Sequence, residues 1–533
     1  MYDQETAATT IKLNNTTLHG LEDSSLQVVR FLGIPYALPP TGQYRFQKPR
    51  KLPQDYQYGE DGKLECKTFP AVCPQPIYKM NNTPMPQPPG TKFSEDCLYV
   101  NIWIPKGIPP AGGWPVLSWI HGGWYQTGSP LIGDANNPGG LISPHGAGVS
   151  AIIVTIGYRL NIFGFLANND LNGNFGLWDQ RLALEWTYDN IHHFSGNPKR
   201  ITIAGLSAGA NAVHQQINYE FFSSQREPIF NQAIMYSNAI SAQSKPPSAA
   251  QAQFDEVCQK FDISSTLSQA EKLERLKQIK DTDLASRLLE LKYHTFRHVT
   301  DGEFISPELV KRGQNGRFAA EFVRRDFRLI VGEVENEESV YRAVNPPHSR
   351  AQFIPELENY YSADTSKALF DRYPFQENQR ENEPEDWKDH FGRIVAASQV
   401  RAPTRRLCSQ IFAKSGEKFA KQFFRYRISL RLRILTAVGV PESFGVGHGM
   451  DQDVWWFRAK AFKDDEATSV RQWLKPVDAF INGQEVGWGT KDVQEYRRLC
   501  KDGSIRIEAD MYWDEYQAFA DVLMPHASSA QKL

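Results

Sequence analysis

The chain has 533 residues, 41% of them hydrophobic and 12% aromatic, with 59 Lys+Arg against 61 Asp+Glu. That length supplies a sizeable core. The near-neutral balance gives no strong field for nucleic acid or anionic membranes, and no apolar run approaches the roughly 20 residues of a membrane-spanning helix. Several short apolar runs then read as strands in chain order: Val116–Ile120 (VLSWI), Ala151–Ile156 (AIIVTI), Ile201–Ala204 (ITIA), Gln232–Tyr236 (QAIMY) and Arg328–Val331 (RLIV). They are continuous rather than alternating, as in strands covered on both faces. Between them, Trp178–Ile191 carries Leu182, Leu184, Trp186 and Ile191 at helical spacing, and the residues after 207 are helix-compatible. Residues 245–290 and 350–400 read as charged outer helices. Arg425–Arg433 alternates basic and apolar residues, as a strand or a solvated face would. Strands interleaved with helices predict an α/β fold with a large, mostly parallel central sheet, helices on both faces and helical insertions. We read residues 1–533 as a single domain.

Residues 70–90 are rich in Pro and Asn and read as a loop, either a surface excursion or a rim over a pocket. The N-terminus, MYDQETAATTIKLNN, lacks the basic start and apolar stretch of a secretory leader. The protein is therefore expected inside the cell, or outside it only as a processed form. Asn14, Asn15 and Asn81 begin Asn-x-Thr sequons, which matter only in the second case. The six cysteines, at 66, 73, 97, 258, 408 and 500, show no CxxC spacing and no zinc-type cluster with histidine. No metal site is expected.

Gly205-Leu206-Ser207-Ala208-Gly209 fits G-x-S-x-G, in which a serine sits on a tight turn between strand and helix. Glycines two residues away on each side let neighbouring backbone pass. Alone the pattern is weak, but here ITIA precedes it and a helical run follows. Upstream, His121-Gly122-Gly123-Trp124 ends a strand in a glycine turn. Acyl transfer builds an oxyanion that backbone N–H groups must approach closely, and glycines permit this. A nucleophilic serine also needs a base, and the base a carboxylate. Of twelve histidines, His448 stands in the glycine-rich loop Gly445–Gly449, well downstream of the serine, while His192 and His193 read as solvated helix-end residues. For the acid, Glu333, Glu335, Glu337 and Glu338 all follow the strand RLIV, and spacing alone does not choose among them. The order Ser, Glu, His is that of α/β-hydrolases.

Several longer segments complete the pattern: FLGIPYALPPTGQYRFQKP (31–49), SEDCLYVNIWIP (94–105), GYRLNIFGFLA (157–167), GNFGLWDQRLALEWTYDNIHHFSGNP (173–198) and GVGHGMD (445–451). With the ITIAGLSAG elbow they resemble the type-B carboxylesterase/lipase family, which includes cholinesterases, carboxylesterases and fungal lipases. The resemblance implies an α/β-hydrolase fold and a cofactor-free ester hydrolase acting on a small-molecule ester. It implies Glu337 as the acid and Gly122, Gly123, Trp124 and Ala208 as the oxyanion hole. It also implies a Cys73–Cys97 bridge closing the Pro-rich loop, and leaves Cys258 as a free buried thiol, which favours an intracellular protein. Two departures stand out: Leu206 replaces the Glu usual before the serine, and Trp124 replaces the usual third glycine, bringing an indole to the acyl side of the pocket. The same residues also suit an acyltransferase, an interfacial lipase or a non-catalytic binding protein of this fold. All three catalytic positions are filled, against the last. Residues 70–90 lack the apolar face of a lipase lid, against the second.

Overall fold

The computed structural model describes residues 9–525 except 82, 86, 88, 89, 131–136, 377, 378, 459 and 460. The extreme N-terminal segment, residues 1–8, lies outside the described residues. Among those described, the organising element is an 11-stranded sheet. Its strands in chain order are β1 (Leu21–Asp23), β2 (Val28–Pro35), β3 (Tyr99–Pro105), β4 (Trp114–Ile120), β5 (Ile152–Ile156), β6 (Gly196–Leu206), β7 (Gln232–Tyr236), β8 (Arg328–Val334), β9 (Phe423–Ile428), β10 (Glu495–Leu499) and β11 (Ile505–Ala509). Across the sheet the order is β11-β10-β9-β8-β7-β6-β4-β5-β3-β2-β1. The run from β5 to β10 is parallel, and antiparallel pairs close both ends.

Strand pleating sends successive side chains to opposite faces, and here both faces are buried. Val116, Ile203 and Val331 enter one core, which also takes Leu184 and Trp186 of helix α1 (Phe175–Asn190) and Val213 and Ile217 of α2 (Ala208–Phe222). Leu117, Ala204 and Ile330 enter a second core, covered by Val470, Trp473 and Val477 of a helix at Asp464–Ile481. This explains why the strands read as unbroken apolar runs. Arg425 and Arg427 lie on β9, and Arg425 is buried and ion-paired with Asp510, so that basic run begins inside the sheet rather than on a solvated face.

The longer sequence segments meet one another in space. Arg45 and Glu95 form a buried pair, with Nε donating at 2.7 Å, and Arg159 grips Asp179 through Nε at 2.8 Å and Nη2 at 2.7 Å. Removing one partner of such a pair strands a buried charge, at a cost of about 3–5 kcal/mol. Residues 350–400 are largely helical as expected, and together with a helix at Trp513–Leu523 they build a third apolar cluster around Phe353, Trp387, Phe391 and Phe519. It stands over the C-terminal edge of the parallel strands, with Trp124 packed against it.

The Pro-rich segment reaches inward. Tyr78 is buried and stacks on Trp124, with ring centroids 5.9 Å apart, so this loop is a rim of the site rather than a surface excursion. All six cysteines are free and buried, and the pair that the resemblance implies, Cys73 and Cys97, stands as two thiols in contact. The Cys73 thiol donates to Pro74 O at 3.6 Å and accepts from Leu160 N at 3.3 Å, which ties the loop to the segment after β5. Among the described residues no helix is long and apolar enough to cross a membrane.

Candidate active site

The strand register brings the candidate residues to one edge. Ile120 lies opposite Gly205, Leu206 opposite Tyr236, and Tyr236 opposite Gly332, so the ends of β4, β6, β7 and β8 are level. Residues beyond the C-terminal ends of parallel strands share a crevice.

Ser207 follows β6 and begins α2 with φ 58° and ψ −123°, a backbone state that costs a non-glycine residue about 1–3 kcal/mol. Its N–H donates to Tyr236 O at 2.8 Å, and its carbonyl accepts from Asn211 N at 3.0 Å, which holds the turn from both sides. The glycines at 205 and 209 are required by contact: a Cβ would stand 2.4 Å from Gly209 O in the first case and 2.1 Å from Ile120 O in the second.

The glycine turn after β4 touches the elbow directly, since a Cβ on Gly122 would lie 3.0 Å from Ser207 Cβ. Gly123, Trp124 and Tyr125 all have positive φ, of 109°, 57° and 66°. No described group accepts the N–H of Gly123, Trp124 or Ala208, leaving three donors beside the serine. His121 is buried and neutral, its pKa pushed down to about 4 by burial, and Nδ1 donates to Gly122 O at 2.9 Å. It therefore braces the turn. His192 and His193 are exposed at the end of α1.

Of the four glutamates after β8, one faces the histidine. Glu337 Oε2 meets His448 Nδ1 at 2.5 Å, and Oε1 accepts Val334 N–H at 2.8 Å, with the carboxylate wholly buried. Glu333 is paired with Arg405, Glu335 with Arg498 and Lys501, and Glu338 with Arg401. The His448 loop is tied to the Glu337 turn. Asn336 N–H donates to Val446 O at 3.0 Å, and Ser339 Oγ donates to Phe444 O at 2.8 Å. No direct hydrogen bond joins Ser207 and His448. Beside His448 stands Tyr341, whose hydroxyl lies 3.2 Å from Nε2 and 3.3 Å from Nδ1 and which lines the same recess as Ser207.

That recess, walled by Trp124, Ser207, Ala208, Tyr341, Arg297 and Tyr360, holds about 10 Å³, room for roughly one water. A hollow of similar size lies behind Trp124, against Tyr78, Tyr341 and Phe391. Asn211, Arg297 and Tyr360 also line an adjoining cavity of about 450 Å³. Tyr78, Arg297, Tyr341 and Tyr360 belong to no motif, and sequence reasoning gave no signal for them. Among the described residues there is no cluster of His, Cys, Asp and Glu suited to a metal.

Behind the elbow, Leu206 sits in the second core, and a Cβ on Gly449 would lie 3.4 Å from its Cδ2. An acid does stand in this region: Asp451 Oδ2 accepts from the Trp455 indole at 2.7 Å. Burial, reinforced by the nearby Glu337 charge, pushes its pKa up to about 6, while the Trp455 hydrogen bond opposes this. The unfolded value is about 3.9. Between those two values the folded state holds more protons, so stability falls as pH rises from about 4 to about 6. Two units correspond to about 3 kcal/mol, and an amide in the same place recovers part of it. Asp451→Asn keeps an acceptor for Trp455. It is expected to raise unfolding free energy by about 1–2 kcal/mol at pH 7.5 and by nothing below pH 4. Urea unfolding at the two pH values checks this, and an equal effect at both contradicts it.

Comparison with known sequences agrees with this architecture. A family profile described as the Carboxylesterase family, an α/β-hydrolase family, matches residues 7–483. An uncharacterized esterase/lipase of Schizosaccharomyces pombe is 39% identical over 515 residues, covering 93% of each chain. A carboxylic ester hydrolase of Gibberella moniliformis is 37% identical over 527 residues, covering 95% of this chain and 93% of its own. An acetylcholinesterase of Bungarus fasciatus is 27% identical over 456 residues, covering 80% of this chain and 69% of its own. With likeness of this extent on an α/β-hydrolase sheet, the chain belongs to the carboxylesterase family and is a serine ester hydrolase.

Proposed function

We propose that the chain hydrolyses small to medium hydrophobic carboxylic esters through a covalent acyl-enzyme on Ser207, as one catalytic domain spanning residues 1–533. The observation that carries this reading is the buried 2.5 Å contact of Glu337 with His448, on the same sheet edge as the Ser207 elbow. Ser207 Oγ attacks the ester carbonyl as His448 Nε2 takes its proton. The N–H groups of Gly123, Trp124 and Ala208, with Gly122 beside them, receive the oxyanion. His448 then returns the proton to the leaving alcohol, and water releases the acid by the same steps in reverse roles. Glu337 holds Nδ1–H and stabilises the imidazolium. His448 Nε2 must come within hydrogen-bond reach of Ser207 during turnover, and such contacts often tighten only with substrate bound. The chemistry as drawn calls on no metal or organic cofactor.

An aryl-releasing phosphonate tests the assignment. It should attach once per chain, on the peptide carrying Ser207, and Ser207→Ala should take no label. Label elsewhere refutes the nucleophile.

Trp124 supports a restriction on the acyl group. Its indole separates the narrow recess at Ser207 from the hollow against Tyr78, Tyr341 and Phe391. Trp124→Gly keeps the backbone N–H, suits φ 57° and joins the two spaces. Each methylene accommodated is worth about 1 kcal/mol or more. The ratio of kcat/KM for octanoyl over acetyl nitrophenyl esters is therefore expected to rise by about tenfold or more. An unchanged chain-length profile sinks this account.

A further inference from the structure

Most buried arginines in this fold are spoken for. Arg159 pairs with Asp179, Arg181 with Glu220, and Arg405 with both Glu333 and Asp510. Arg297, half-buried beside the site, is different. Its guanidinium lies over the Tyr360 ring, 4.5 Å from the centroid, and no described residue gives it an ion pair or a hydrogen bond. Its Nε is buried without a partner.

The backbone around Arg297 is fixed. On one side Phe296 N–H donates to Gln126 Oε1 at 2.9 Å, and Gln126 Nε2 donates to Phe296 O at 2.6 Å. On the other, Val299 N–H donates to Asn174 Oδ1 and Asn174 Nδ2 to Val299 O, both at 2.8 Å. Next to it, His298 Nε2 donates to Asn211 Oδ1 at 2.9 Å, and Asn211 stands one turn into the helix that begins at Ser207. The backbone that carries Arg297 is thus fixed by Gln126, next to the glycine turn, and by Asn174, while Asn211 of the elbow helix holds its neighbour His298. Arg297 lines both the Ser207 recess and the adjoining 450 Å³ cavity. A second cation, Lys245, faces that cavity, its ammonium on Glu358 O at 2.6 Å, and Glu358 is the carboxylate among the lining residues. Burial and the Arg297 charge push the Lys245 pKa down to about 8, as expected where positive charges crowd without enough anion between them.

A guanidinium partly withdrawn from water, lying over an aromatic ring and without an ion-paired carboxylate, is a receptor for a planar anion. The geometry points to esters that carry a second, anionic group, a carboxylate seated against Arg297 in the cavity beside Ser207, as preferred substrates. This rests on Ser207 being the nucleophile and narrows the substrate class of that same site. The carboxylate can belong to the acid half, as in the half-ester of a dicarboxylic acid, or to the alcohol half, as in an acylated hydroxy acid.

The test compares two matched pairs on the full chain. The first is the 4-nitrophenyl half-ester of adipic acid against 4-nitrophenyl hexanoate, and the second is 4-butyryloxybenzoate against 4-butyryloxybenzamide. The readout is the ratio of kcat/KM for the anionic over the uncharged member. In Arg297→Gln that ratio is expected to fall about tenfold in one pair, the size of one lost charged hydrogen bond, and the pair affected tells which half carries the anion. Arg297→Met, which keeps an apolar stem over Tyr360, should act alike and serves if the first variant folds poorly. A fall of threefold or more in either pair supports the proposal, and a smaller change in both pairs overturns it. A purely structural arginine would lower both members of a pair together and leave the ratio still. Ser207→Ala, assayed beside them, separates the two readings. If it still cleaves all four esters, the nucleophile is wrong, whatever the Arg297 ratios show.

Discussion

Ser207→Ala is expected to lower kcat for a simple aryl ester by roughly five to six orders of magnitude, with the fold intact. The variant keeps the elbow, because the turn is held by Tyr236 O, Asn211 N and the two glycines and not by the hydroxyl. It also keeps the three free N–H donors of the glycine turn and helix start. A residual rate above that in water should therefore survive, of the kind a site retains when its oxyanion donors remain. His448→Ala should cost about as much, and the double variant little more, because nucleophile and base act as one unit. Single-turnover assays with circular dichroism as a folding control measure all three. A Ser207→Ala rate within a hundredfold of the parent would remove the serine from the mechanism. Strictly additive losses would mean that the two residues work separately.

The sheet was legible because its strands are buried on both faces, so that Ile201–Ala204 and Gln232–Tyr236 read as unbroken apolar segments. The elbow was legible because its chemistry demands glycine at two fixed offsets, and the contacts of Gly205 and Gly209 show that demand. The side chains that shape the recess were not. Arg297 lies 90 residues beyond Ser207, and Tyr78 lies on a Pro-rich loop 46 residues before Trp124. What brings them to the serine is the packing of insertions over the sheet edge, which leaves no period in the sequence. Among the glutamates, spacing alone did not choose, and only the family resemblance pointed to Glu337. The ion pairs of Glu333, Glu335 and Glu338 with arginines far along the chain separate them from Glu337.

Glu337→Gln should lower kcat by roughly three to four orders of magnitude while leaving the fold intact. The carboxylate has two bonds to keep: Oε1 accepts Val334 N–H and Oε2 meets His448 Nδ1. A backbone N–H can only donate, so the glutamine oxygen must turn toward Val334 and its NH₂ toward His448. That NH₂ donates where the carboxylate accepted. His448 Nδ1 then has to be the unprotonated nitrogen, and the proton moves to Nε2, the atom that must accept from Ser207. The variant therefore holds the base in its wrong tautomer, a larger defect than the loss of one charge. The neighbours supply the control. Glu335 points to Arg498 at 2.8 Å and Lys501 at 3.2 Å, and Glu338 to Arg401 at 2.8 Å. These pairs are partly buried, and losing one charged hydrogen bond there costs about 1–3 kcal/mol. Glu335→Gln and Glu338→Gln should shift stability by about that much and kcat by no more than a few fold. Steady-state kinetics on the three variants decide the matter. A Glu337→Gln enzyme no slower than its two neighbours would detach this carboxylate from the histidine's chemistry, however short their contact.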